Sequence, residues 1–464
     1  MEPVYDDGSS IWYAYTVDEL HGITEPRKHV VFRGWIKTIR HSKAGMSFIH
    51  VTDGSALRPY QIFVKESDVE GYDEIKKLTS GCSIEVYGEV VESKGKGQDF
   101  ELIAQSLKIH GLVEDPATYP IQAKDTSMEY LRSVAHLRPR SQVFSSITRV
   151  RTELAHATQS FFYGKGYQWI HTPIITGSDC EGGGEMFRVS TDSKEEFFGK
   201  PAFLTVSGQL NVEPFACSMG KVYTFGPTFR AENSQTSRHL SEFWMIEPET
   251  AFYDLDDNVK LATEFLQSIF RSCLDYRYED LEYLAGQFRE GQAFLSTLQK
   301  VVSEPPERMT YTEAIKILEA TDHPFEFPVS WGIDLQSEHE KFLCEYVGGK
   351  ILVVTDYPKD IKAFYMKLSE DEKTVGAMDI LLPGIGEIIG GSQREEKFDV
   401  LLRRIQEMGL EREEYEWYLD LRKYGTVPHS GFGLGFERAV QYVTGVPNIR
   451  DTIPYPRAVG KMEY

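Results

Sequence analysis

The sequence predicts an α+β fold in two domains, a small antiparallel β-barrel followed by a larger domain of strands and helices. Three observations predict it. Over residues 29–112 apolar and polar residues alternate with period two in short runs, the pattern of half-buried strands. From 143 to 165 the apolar period lengthens to that of a helix, and long strand-like runs such as KVYTFGPTFR and EFWMIEPETAF come after it. At 464 residues the chain is too long for one ordinary core and suits a small module joined to a large domain.

The barrel is expected from HVVFRGWIKTIR, SFIHVTDGS, YQIFVK, SIEVYGEVVES and FELIAQSLKIHG, bounded by Gly, Asp and Ser. Five strands with a helix-like insert at 72–78 before the fourth is the layout of an OB-fold. Residues 1–115 are assigned to it. Pro116, Tyr119 and Pro120 break the alternation, so 116–130 reads as a linker and 131–464 as the larger domain. Within that domain, 255–325 is helical and acidic and reads as a possible insertion without chemistry of its own. No internal repeat is visible, which excludes solenoids.

Hydrophobic residues at 41% and charged residues at 26% are the composition of a globular protein. Lys plus Arg number 50 against 71 Asp plus Glu, a net charge of -21, so nonspecific coating of nucleic acid is excluded and any RNA must meet local basic patches. No leader-like segment or membrane-length apolar run is evident, and a cytoplasmic location with no membrane partner is expected. Cys82, Cys180, Cys217, Cys273 and Cys344 are scattered without metal-ligand spacing, so reduced thiols and no structural zinc are expected.

Three segments carry chemistry. In the first, Arg230 and Glu232 end one strand, Arg238 and His239 lie in a polar loop, and Phe243 opens the next strand. A solvated cross-strand pair is the plain reading of Arg230 and Glu232. Two arginines across one hairpin loop also suit a nucleotide, since each planar guanidinium can grip a different phosphate with paired hydrogen bonds. The second segment, GFGLGFER at 431–438, has glycines that would let a flat ligand approach the backbone, followed by an acid and Arg438 at a helix start. It lacks both the βαβ context of a dinucleotide fingerprint and the ending of a P-loop. In the third, Asp379 and Glu387 stand amid apolar strand-like residues, where a carboxylate must be paired or bind metal. Carboxylates beside substrate phosphates suit Mg²⁺. Pairing with buried arginines is the rival reading, stronger for Asp379.

In this order and over nearly the whole chain, these segments resemble the signature motifs of class II aminoacyl-tRNA synthetases, with the 148–166 helix and YQWIHTP similar to the first motif, which builds the dimer interface. The resemblance implies an antiparallel catalytic sheet flanked by helices, a homodimer, and ATP and Mg²⁺ as substrate and cofactor. It implies that Arg230 holds the α-phosphate and the attacked carboxylate, Glu232 receives the adenine amino group, Arg238 and His239 lie along the β- and γ-phosphates, and Phe243 stacks on adenine. Arg438 would cover the other adenine face and reach the γ-phosphate, and Asp379 and Glu387 would carry Mg²⁺.

The N-terminal barrel resembles that of the subgroup charging aspartate, asparagine and lysine. Segments such as HTPIITGSDCEGGGEMF, LTVSGQLNVE and TDYPKDIKAFYM look like its asparagine-specific members, which implies L-asparagine and tRNA(Asn) as substrates. Where the aspartate-specific members put lysine, this chain has Val212. Arg394 would donate to the amide oxygen, and Glu247 or Glu213, unranked, would accept from the amide nitrogen, because a carboxamide presents both an acceptor and a donor. Glu181 and Gln209 would hold the substrate ammonium and carboxylate. In the barrel, Phe48 and Gln61 match positions that stack on and hydrogen-bond an anticodon base, with Arg33 and Arg40 on phosphates; a core role is the rival for Phe48. The alternatives are an aspartyl enzyme, including a non-discriminating one, an asparagine synthetase on the same scaffold, and a silent tRNA-binding or amino-acid-sensing paralogue. Retention of Arg230, Glu232, Arg238, Glu387 and Arg438 argues against the last.

Overall fold

The computed structural model describes residues 2–5, 11–95, 97–121, 126–180, 185–192, 195–289 and 291–464. The chain divides into two compact units, Met1–Arg149 and Val150–Tyr464, each described by itself.

In the first unit, β1 (Arg27–Ser42), β2 (Met46–Thr52), β3 (Tyr60–Lys65), β4 (Ser83–Glu92) and β5 (Phe100–Gly111) form a barrel, closed by pairing of β1 with β4. The short helix α1 (Tyr72–Ile75) precedes the fourth strand, as the sequence pattern predicts. Alternation decides which way each side chain faces. Ser47, Ile49 and Val51 of β2 are buried, so Phe48 and His50 between them face outward. Two strands not anticipated from the sequence, Glu2–Tyr5 and Ile11–Tyr15, extend the sheet beside β1.

The helix α2 (Gln142–Gly164) leads to the second unit, whose centre is an eight-stranded, mainly antiparallel sheet. From one edge it begins with β6 (Gln168–Trp169) and the hairpin strands β7 (Lys221–Phe229) and β8 (Glu242–Ala251). Next to β8 comes the last strand in sequence, which follows β9 (Glu307–Thr310), β10 (Leu352–Pro358), β11 (Thr374–Leu382) and β12 (Gly386–Gln393) and is labelled β13 (His429–Gly435). It sits between β8 and β12, bringing the ends of two distant segments together.

The helix α3 (Leu255–Tyr276) lies in the region expected to be an insertion, and the structure corrects that expectation. It begins with an Asp254 cap whose carboxylate accepts from the Asp257 N–H at 2.9 Å. Its buried stripe, including Ala262, Phe265, Ile269 and Cys273, recurs at helical spacing. Phe265 meets Phe432 of β13 at 6.0 Å and Phe162 at 4.8 Å, and Asn258 donates to the Gly431 carbonyl at 2.9 Å. The stretch therefore belongs to the core beneath the sheet. Its acidic residues cover only the solvent side, and this gave the region its surface-like composition.

The glycines of β13 have a packing role as well. A Cβ on Gly431 would meet the Glu249 carboxylate and, at 2.5 Å, the Pro248 carbonyl, while one on Gly433 would meet Met245 at 2.8 Å. These two glycines make room for the β8 side chains packed against them. Gly431→Ala is expected to cost about 1–3 kcal/mol through overpacking, read as a lower urea midpoint with an unchanged slope.

Candidate active site

One end of the sheet gathers charged groups with almost no solvent contact. Arg394, 2% exposed, donates from Nε to Glu249 at 3.3 Å and from Nη2 to the other oxygen of that carboxylate, while Nη1 reaches Ser392 Oγ at 2.8 Å. Its guanidinium lies 5.1 Å from the centre of the Tyr365 ring. Such two-point clamping fixes the plane of the fork and leaves further N–H groups for a ligand.

Glu213, on the helix Gln209–Met219, is fully buried. It accepts from Gln209 at 3.1 Å, Tyr418 at 2.7 Å, Arg422 at 3.4 Å and His429 at 2.8 Å. Burial alone would raise its carboxyl, but the His429 hydrogen bond and the charges of His429, Arg422 and Arg394 outweigh that and hold it below the usual carboxylate range. With its lone pairs occupied, Glu213 has little capacity left for a substrate amide. Glu247 differs: it accepts from Ser207 Oγ and, at 2.9 Å, from the Gly208 N–H, beside the N-terminus of the helix that carries Gln209. The geometry thus separates the two carboxylates that the sequence leaves unranked. Val212, fully buried and packed with Ala216, Val222 and the partly buried Ile170, adds no cation here.

The nucleotide-type residues lie at the opposite end of the same strands. Strand register pairs Thr228 with Phe243 and Met245 with Gly435, so the Arg230 end of β7, the start of β8 and the end of β13 lie side by side. The Arg230 guanidinium is 5.4 Å from the Phe243 ring centre. Gly435 leads into α4 (Phe436–Thr444), which carries Arg438. Arg238 donates to Ser337 Oγ at 2.5 Å, and burial together with the like charge of Arg438 lowers its basicity, so these two guanidiniums share one neighbourhood. His239 Nδ1 is 2.5 Å from Thr236 Oγ1 and its Nε2 is 3.8 Å from Glu232, a loop folded on itself. Glu437, next to Arg438, accepts from the Trp244 N–H at 2.8 Å and pairs with Arg151 at 2.7 Å, tying α4 to the hairpin and to α2.

Between the two ends lies an acidic cluster. A Cβ on Gly390 would meet Glu387 Oε1 at 3.1 Å and Asp379 Oδ1 at 3.5 Å, so both carboxylates lean over the same bare backbone. Glu340 accepts from the Glu387 N–H at 3.1 Å, and burial followed by the Glu387 charge pushes its carboxyl up to about 7. Burial and then the Asp379 charge raise Glu387 as well, against the pull of Arg438 and Lys362. Asp379 pairs with Lys362 at 2.8 Å, a lysine where the rival reading expected arginine. Carboxylates that repel one another beside guanidiniums suit a divalent cation arriving with phosphates. By contrast Glu213, Glu249 and His429 are close enough together to hold an ion, but Arg394 and Arg422 already neutralise them.

On the barrel's outer face, Phe48 is half-buried against Phe63, with ring centres 5.3 Å apart, which weakens the core reading for Phe48. Gln61 donates to Glu101 at 2.7 Å. Arg40, directly across from Phe48, is exposed, whereas Arg33 pairs with Glu85 at 3.0 Å.

The structure therefore brings Arg230, Phe243, Arg238 and Arg438 to one end of the sheet and Arg394 to the other, with Glu387, Asp379, Gln209 and Glu247 between them. Glu181 lies outside the described residues. Sequence reasoning passed over Glu249, Glu340 and Lys362. Glu249 had a signal, since two carboxylates two residues apart on β8 share a face; Glu340, one acid among several on a helix, had none.

A family model described as tRNA synthetases class II (D, K and N) matches residues 127–459, and an OB-fold nucleic acid binding domain matches 30–109. The chain is 56% identical over 450 residues to a protein of Psychromonas ingrahamii named asparagine–tRNA ligase, covering 94% of this chain and 96% of that one. A protein of the same name from Idiomarina loihiensis is 54% identical, covering 97% and 100%. Among solved structures, asparaginyl-tRNA synthetase from Pyrococcus horikoshii complexed with asparaginyl-adenylate is similar with a TM-score of 0.83 at 35% identity, covering 93% of this chain and 95% of that one. The Entamoeba histolytica asparaginyl-tRNA synthetase in complex with asparaginyl-adenylate gives 0.83 at 26% identity, covering 97% and 100%.

Proposed function

The chain belongs to the class II tRNA synthetases of the aspartate, lysine and asparagine group, and on that premise we propose that it activates L-asparagine with ATP and transfers it to the 3′ end of tRNA(Asn). The single observation that carries the choice of amino acid is that Arg394 is held fixed by Glu249 while Glu247, two residues earlier on the same face of β8, offers an acceptor, and Val212 supplies no second cation. A carboxamide offers its oxygen to Arg394 and its N–H to Glu247, whereas an aspartate carboxylate would meet Glu247 as a like charge. Glu249 and Glu213 position the pocket rather than touch the substrate.

In activation the asparagine carboxylate attacks the α-phosphorus of ATP and pyrophosphate leaves. The carboxylate is already ionised, so this step needs no general base. Charge builds on the α-phosphoryl oxygens, and Arg230 faces it as a preorganised donor. Phe243 and Arg438 sandwich the adenine, Glu232 accepts from its amino group, and Arg238 with His239 extends along the outer phosphates. Mg²⁺, held by Asp379 and Glu387, would neutralise phosphate charge when bound with ATP. Gln209 holds the substrate ammonium or carboxylate. Proximity does the rest, because both reactants are bound along one sheet.

Phe48, Gln61 and Arg40 read the anticodon loop from the barrel face, where the OB-fold match supports nucleic acid binding. Homodimerisation along α2 and the β6 edge is part of the reading, supported by Trp169, 59% exposed on that edge strand. Among the described residues no helix is long and apolar enough to cross a membrane, and all five cysteines are free thiols; work in the cytosol is part of the same reading. The test is ATP–pyrophosphate exchange with each amino acid. Exchange is expected with asparagine and to be weaker by on the order of 10³ or more with aspartate; exchange with aspartate alone would overturn the assignment.

A further inference from the structure

Glu213 is fully buried, and its hydrogen bonds are made within the protein. It stands four residues after Gln209 on the helix Gln209–Met219, so the two side chains share a face and meet at 3.1 Å. From the helix Glu416–Lys423 come the Tyr418 hydroxyl at 2.7 Å and the Arg422 guanidinium at 3.4 Å, and from the start of β13 the His429 ring at 2.8 Å. Among the described residues these four donors fill the roughly four lone-pair positions of one carboxylate. What Glu213 can still offer the pocket is its charge. The Nε of Arg394 is 4.0 Å from Glu213 Oε1, so the charge stands one side chain behind the group proposed to read the amide.

The balance of charge around Arg394 bears on which side chain can enter. Among the described residues two guanidiniums, Arg394 and Arg422, stand against three carboxylates, Glu213, Glu247 and Glu249, with His429 as a further donor. Whatever proton the His429 ring carries, Glu213 makes this surround one unit more negative than a neutral residue at the same place. Asparagine and aspartate are alike in shape and in their α-groups and differ by one unit of side-chain charge. A fixed charge in a water-poor interior is felt across several ångströms. A negative unit behind Arg394 therefore disfavours the carboxylate and leaves the carboxamide nearly indifferent.

We propose that Glu213 is a specificity-determining residue that rejects aspartate through its charge, without touching the amino acid. This rests on the reading of the chain as an asparagine-activating enzyme. Glu247 accepts from the amide by contact, and Glu213 sets the field in which that contact forms. His429, Arg422 and Tyr418 act as positioning residues that keep the Glu213 carboxylate fixed and ionised.

The test is ATP–pyrophosphate exchange with asparagine and with aspartate for Glu213→Gln, Arg422→Gln and the double variant, beside the parent. Glu213→Gln keeps the volume and removes the charge. Its kcat/KM for aspartate is expected to rise by on the order of 10–100-fold, while that for asparagine changes by less than about threefold. Arg422→Gln removes the opposite charge and is expected to lower aspartate exchange by a similar factor, a reading of opposite sign that stands even where Glu213→Gln fails to fold. In the double variant the two changes cancel and the preference returns close to the parental value. An unchanged preference in the single variants, a preference lost through asparagine exchange alone, or a double variant that does not return would each overturn the proposal, because a merely structural role moves both amino acids together. Absence of asparagine exchange in the parent protein would instead sink the underlying function, so the two failures are told apart.

Discussion

Replacing Arg394 by methionine is expected to lower kcat/KM for asparagine in the exchange reaction by on the order of 10³ and to cost about 3–5 kcal/mol of stability. Both effects have one source. Arg394 is 2% exposed and is the partner of fully buried Glu249, so its removal strands a carboxylate in the interior and, in the proposed role, also removes the donor offered to the amide oxygen. Urea denaturation followed by far-ultraviolet dichroism reads the first effect, and exchange under conditions where the variant is folded reads the second. Arg394→Lys separates them. It keeps the charge but loses the planar fork, so it should recover much of the stability and little of the activity. A stable, fully active Arg394→Met would show that the guanidinium does not read the substrate.

Arg230→Ala is expected to slow adenylate formation by on the order of 10²–10³ while leaving the fold intact. Arg230 is partly exposed at the end of β7 and packs on Phe243 at 5.4 Å, away from the core, so truncation leaves no cavity. In the proposed role its work is confined to the moment when charge appears on the α-phosphoryl group. Single-turnover measurement of adenylate should therefore show a fall in rate with little change in the concentration of asparagine giving half-saturation. A rate within twofold of the parent would remove Arg230 from the chemistry.

Much of this was legible in the sequence because both units are built from periodic strands with their chemistry written on them. The barrel runs alternate cleanly, since one face is buried and the other is wet. FRAE, RHLSEF and GFGLGFER are recognisable because charges and glycines interrupt apolar strands. The failures have physical reasons too. The region at 255–325 read as an insertion because acids on the solvent side of α3 masked a buried stripe that includes Phe265 and Ile269. The packing role of the glycines at 431 and 433 was not legible, because a sequence shows that backbone is bare without showing which neighbour needs the space. Glu213 read as a candidate substrate contact, because only tertiary structure reveals that Tyr418, Arg422 and His429 converge on it from far along the chain.

The strand β8 carries Phe243 near one end and Glu247 four residues on, both pointing to the same face. At the rise of an extended chain that interval is about 13 Å, a length comparable with a nucleoside joined through phosphate to a small amino acid. In the proposed roles, a single stiff rod clamped between two neighbours sets the distance between the ring that takes adenine and the oxygen that takes the side chain. The enzyme's reach is then a property of backbone pitch, and inserting or deleting one residue in this rod would put its two ends out of gauge and on opposite faces.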